Sequence, residues 1–119
     1  MEVQVFGTRS SADTRKALRF FSERRVRTHF VDLKQKAASK GELRRFVEHL
    51  GPDALIDRES KRFRALGLQA AHYGPERWLE ILADEPALLV VPLVRCNHRL
   101  SVGPSPETWE SWLREDGST

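Results

Sequence analysis

The chain reads as an α/β protein. Its four-stranded mixed sheet is built from a βαβ unit, a helical insertion, a β-hairpin and a C-terminal helix. Three observations predict it. The chain opens with a short alternating apolar run, then a polar turn, an amphipathic stretch and a second alternating run. The middle third carries helix caps and helical spacing. After Pro92 come two short β-type runs about Asn97-His98, followed by a stretch bearing Trp109 and Trp112 at helical spacing.

Val3, Val5 and Phe6 form the first strand, and Gly7-Thr8-Arg9-Ser10-Ser11 is a turn. Thr14 to Phe21 places Ala17, Leu18 and Phe21 on one helix face, with the basic Arg24-Arg25 at its end. Thr28, Phe30 and Val31 mark a second strand, and a strand–helix–strand unit of this length makes the two strands parallel. The helical insertion is expected at about residues 39–84 of a single domain spanning 1–119. Ser39 with Glu42 spells a capping box, Leu43, Phe46, Val47 and Leu50 follow, and Gly51-Pro52 stops that helix. Asp53 to Ile56 reads as one helical turn, and Phe63 and Leu66 mark a short helix ending at Gly67. Pro75 opens another, with Trp78, Leu79, Ile81 and Leu82 on its buried face. Ala87 to Val91 is a continuous apolar run short enough to be a buried strand. Leu93–Cys96 and Arg99–Val102 form the hairpin; Ser105 or Pro106 opens the last helix, docked by Trp109, Trp112 and Leu113. Asp116 to Thr119 is expected to fray.

The 119 residues suffice for one core. Twenty Lys and Arg against seventeen Asp and Glu leave a net charge of +3, too balanced for the unopposed basic face that direct nucleic-acid binding wants. Met1 leads straight into a strand and no apolar run reaches membrane-spanning length, so a cytoplasmic protein without membrane contact is expected. One cysteine, Cys96, excludes an internal disulfide, and the four histidines show no metal-ligand spacing.

A strand passing through a turn into a helix start aims unpaired N–H groups and the positive end of the helix dipole at the turn. Ser10 and Ser11 can bind a small thiol or anion there, or simply cap the helix. Arg58, Lys61, Arg62 and Arg64, preceded by Arg44 and Arg45, form either a partner-binding patch or a solvated face. Cys96 lies ~13 Å along the strand from Pro92 at ~3.3 Å per residue. A strand running away from the turn carries it to the opposite end of the sheet, as a small apolar residue rather than a redox centre.

Three segments carry a resemblance: Thr14-Arg15-Lys16-Ala17, Leu50-Gly51 through Leu66-Gly67-Leu68, and Glu85-Pro86 through Pro92-Leu93-Val94. In this order they resemble the arsenate reductase family and its Spx-type transcription regulators, elaborations of the thioredoxin fold, over almost the whole chain. The resemblance implies a thioredoxin-like fold with a cis Val91–Pro92 bond. It puts the family's nucleophilic cysteine at Ser11, the second cysteine at Thr14 and an anion-binding arginine at Val91. A second arginine has only Arg58 as a displaced neighbour, beside Asp57, and a third meets Val102-Gly103. Arsenate reduction needs a thiolate that attacks arsenic and then exchanges with another thiol, which a serine cannot do. The expectation is therefore a member that has lost thiol redox catalysis, has no catalytic residue and no metal, and acts as a protein-binding or regulatory module. Its partner would be a protein, such as the transcription machinery, or a small thiol or anion. Ser10, Ser11, Thr14, Arg15, Arg58 and Pro92 are the ligand-binding candidates; Arg58, Lys61, Arg62 and Arg64 are the partner-binding ones. The alternative is a glutathione- or thiol-dependent oxidoreductase or transferase that uses an external thiol, with Ser11 or Thr14 orienting it.

Overall fold

The computed structural model describes residues 1–116. Strands β1 (Glu2–Gly7) and β2 (Arg27–Asp32) pair in parallel, joined by helix α1 (Ala12–Glu23). Strand β3 (Leu93–Cys96) runs antiparallel to β1, and β4 (Arg99–Val102) antiparallel to β3, giving the order β2-β1-β3-β4. Helix α6 (Pro106–Glu115) follows the hairpin. This is the mixed four-stranded, thioredoxin-like α/β architecture. The chain falls into two compact units: Met1–Asp32 with the segment from Val91 onward, and Leu33–Val90.

In the first unit, strand periodicity sends Val3, Val5, Val94 and Cys96 to one face of the sheet. There they meet Ala17 and Phe21 of α1 and Trp109 and Trp112 of α6 in one buried cluster. Trp109 keeps its indole N–H satisfied by donating to Ser101 Oγ at 2.8 Å. Arg99 holds the other end of α6, donating to the Trp112 carbonyl at 3.2 Å and pairing with Asp116 and Glu115, a cation at a helix C-terminus. The hairpin turns through Asn97, whose φ of 57° is left-handed backbone that asparagine tolerates. Helix α1 ends one residue before Arg24, so the two arginines lie just beyond it and not in its last turn. Arg24 still serves that terminus, donating to the Phe20 carbonyl at 3.1 Å.

The second unit is helical: α2 (Lys40–Leu50), α3 (Pro52–Leu55), α4 (Lys61–Ala65) and α5 (Pro75–Asp84). Ser39 caps α2 reciprocally with Glu42, and Ser60 caps α4 by accepting from Phe63 N–H at 3.1 Å. Leu43, Phe46, Leu55, Phe63, Trp78, Leu79 and Leu82 are buried, whereas Leu66 is exposed and Ile81 only half-buried. The run Ala87–Val91 is not a strand. Pro86 opens a 3₁₀ turn through Leu88, and only Leu89 forms a bridge, to Ile56. Proline sets φ for a turn and supplies no N–H. The following polar groups are used locally: Asp57 N–H donates to the Leu88 carbonyl at 2.7 Å and Val90 N–H to the Leu55 carbonyl at 2.8 Å. No helix among the described residues is long and apolar enough to cross a membrane.

Candidate functional site

Strand β1 delivers the chain to the turn at Gly7, and α1 leaves it at Ala12. Ser11 is the N-cap: its backbone is extended (φ −83°, ψ 122°) and its Oγ accepts from Thr14 N–H at 3.1 Å. Ser11 N–H donates to the Thr8 carbonyl at 3.1 Å, closing the turn. Ser10 is exposed and its hydroxyl lies 3.2 Å from that of Thr8. Arg15, also exposed, reaches back to the Arg9 carbonyl at 2.7 Å and so straps the turn to the helix. Arg9, which sequence reasoning did not single out, stacks over the Phe30 ring 4.9 Å from its centroid. Its only sequence signal is its place in the turn.

Thr14 behaves differently from the serines. It is fully buried, and its Oγ1 has no hydrogen-bond partner among the described residues. The side chain packs where a Cβ at Gly7 would fall, so glycine at position 7 is what admits it. The Thr14 hydroxyl is thus closed off from the turn's surface.

The strand register brings the other aligned positions to the same end of the sheet. Phe6 pairs with Leu93 and Leu93 with Val102, so Pro92 stands opposite Gly7 and Val91 comes next. Gly103 N–H donates to the Pro92 carbonyl at 2.9 Å. The Val91–Pro92 bond is cis and Pro92 is buried. Ser11, Val91 and Val102 therefore share one sheet end where the resemblance asks for a thiolate and two guanidiniums. What is present is a hydroxyl and two isopropyl groups.

Cys96 sits at the other end, paired with Arg99 and one residue beyond the Gln4–Arg95 pair. It is fully buried, and that burial pushes its thiol up from the ordinary value, against a smaller opposing influence from Arg99. A buried, protonated thiol is a poor nucleophile.

Three arginines of the predicted basic cluster and its flank, Arg44, Arg58 and Arg62, are paired with acids. Arg58, just before α4, bonds Asp53 at 2.9 Å and lies near the Phe63 and Trp78 rings, at 5.6 and 5.9 Å. Arg62 forms a two-pronged pair with Glu85, both bonds 2.8 Å, which raises the guanidinium and lowers the carboxylate. Arg44 does the same with Glu76 at 2.9 and 3.0 Å. Lys61 and Arg64 are exposed, with no ion pair among the described residues. The structure thus gathers Ser10, Ser11, Thr14, Arg15 and Pro92 in the first unit, while Arg58 and the rest of the basic cluster belong to the second.

Known proteins are similar to this chain in sequence and fold. The global transcriptional regulator Spx 2 of Oceanobacillus iheyensis is 27% identical over 105 residues, covering 87% of this chain and 77% of that protein. The arsenate reductase of Neisseria meningitidis serogroup A is 26% identical over 115 residues, covering 94% and 98%. The solved YFFB (PA3664) protein shares the fold with a TM-score of 0.84 at 23% identity, covering 92% and 96% of the two chains. The profile of the ArsC family matches residues 6–112, so the chain belongs to the ArsC family.

Proposed function

We propose that this protein is an arsenate reductase/Spx-like member that has lost thiol redox catalysis and works as a protein-binding, regulatory module. One observation carries the reading: the side chain at the nucleophile position is a serine hydroxyl already spent as a helix cap. A serine has no disulfide chemistry, and near neutral pH its hydroxyl attacks only when a base activates it. Thr8 and Arg15, which hydrogen-bond within the turn, are not bases. Val91 and Val102 cannot supply the charge-assisted clamp that would hold an oxyanion for attack.

The similarity to a global transcriptional regulator supports the transcription machinery as the partner, with RNA polymerase as the protein to test. Lys61 and Arg64, the cluster's exposed cations without an acid partner, are its contact candidates. Immobilised chain should bind purified RNA polymerase, and the double variant Lys61→Glu, Arg64→Glu should weaken that binding about tenfold or more, as expected when two cations face an acidic surface. Equal binding by both chains would remove the cluster from the interface. Absence of binding by the unaltered chain would remove the polymerase.

The alternative keeps the turn as a seat for an external thiol such as glutathione. The first-turn N–H groups of Ala12 and Asp13, which a helix leaves without intrahelical partners, favour it. Thr14, fully buried, cannot orient such a thiol in this conformation, which leaves Ser10 and Ser11.

A further inference from the structure

At the end of the sheet remote from the turn, three strands place three polar side chains in one row. His29 of β2 pairs with Gln4 of β1, and Gln4 with Arg95 of β3. The neighbours Val3, Val5, Val94 and Cys96 point into the core, so alternation sends the row to the opposite face. There it lines a hollow of about 250 Å³, together with Glu2, Val3 and Asn97.

Arg95 is half-buried and held at two points. Its Nε donates to the Asn97 carbonyl at 2.9 Å and its Nη1 to Gln4 Oε1 at 3.3 Å. A guanidinium has five N–H groups, so three remain, on a fork whose direction is already fixed. Because Gln4 accepts through its oxygen, its amide N–H₂ is left as a donor. His29, exposed, makes no hydrogen bond or ion pair with a described residue. Among the described residues Glu2 is the carboxylate that lines the hollow, and it lies 3.7 Å from Arg27 on the neighbouring strand. Here a pre-positioned guanidinium, an amide and an imidazole line up across adjacent strands around a concavity.

We propose that the His29–Gln4–Arg95 row is a binding site for a small oxyanion, the phosphate or carboxylate group of a metabolite, with Arg95 as the fork and Gln4 and His29 as flanking donors. The site is separate from the Ser11 turn, three residues along β1 at ~3.3 Å each, and does not rest on how that turn is read.

The test follows the side-chain resonances of Arg95 Nε–H and the His29 ring by NMR. Inorganic phosphate, and separately acetate, is added at constant ionic strength. Saturable shifts at both residues are expected in the unaltered chain and in Ser11→Ala; in Arg95→Met, where the His29 ring is the reporter, the affinity should fall about tenfold or more, the scale of a lost charge-assisted bond. Glu2→Gln should tighten binding. Gln4→Leu should weaken it a few-fold, and this serves if Arg95→Met does not fold. The tighter of the two anions identifies the ligand group as phosphoryl or carboxyl. Shifts that fail to saturate for either anion, or that saturate identically in Arg95→Met, overturn the proposal.

Discussion

Position 11 sits where the fold would activate a thiolate, and the residue there caps the helix instead. The scaffold's electrostatics do not depend on which of the two is present. In a Ser11→Cys, Cys96→Ser protein the new thiol lies at the N-terminus of a twelve-residue helix, so its pKa should fall below the free value of about 8.5. Alkylation rate against pH measures this; an unshifted or raised pKa would mean that position 11 does not feel the helix terminus. Arsenate reduction should stay poor in the same protein, since Val91 and Val102 cannot hold the oxyanion. Thr14 offers a second residue-level test. Its buried Oγ1 has no partner among the described residues, so Thr14→Val removes an unmet hydroxyl while keeping the shape. The variant should be as stable as the parent or up to about 1 kcal/mol more stable in urea unfolding, where a satisfied buried hydroxyl would instead cost stability on removal.

Among the elements, the paired helices of the second unit set a pH dependence. Glu76 and Glu85 are held below the ordinary value of 4.5, chiefly by hydrogen bonds from Arg44 and Arg62. A depressed carboxylate contributes stability above its unfolded pKa and loses it as pH falls through the lower folded value. The urea midpoint should therefore drop as pH falls below about 4.5, and less steeply in Glu85→Gln; equal slopes would mean that the Arg62 pair adds nothing. Neither acid was legible as a partner in sequence, because they stand 32 and 23 residues from their arginines. The cluster therefore leaves fewer unpaired cations than its sequence alone suggests, since Arg58 and Arg62 are paired. Local signals fared better. Ser39 with Glu42, Gly51-Pro52 and Asn97-His98 each act within a few residues, and each produced the expected cap, stop or turn. The run Ala87–Val91 misled because a short apolar stretch has no periodicity to separate a strand from a buried turn, and Pro86 decided for the turn.

For the molecule as a whole, the ArsC-family architecture was readable because three weak segments occur in the family's order and separations. The strand register brings the positions singled out by the resemblance, Ser11, Val91 and Val102, to one sheet end. The His29–Gln4–Arg95 row was not visible, since its members come from strands up to 91 residues apart. The central claim is that this family scaffold persists here without its redox reaction. Arsenate turnover by the purified chain, with glutathione and glutaredoxin or with thioredoxin supplied, tests it most directly. The account predicts a rate no greater than the control without the protein. A rate well above that control, undiminished in Cys96→Ser, would contradict it.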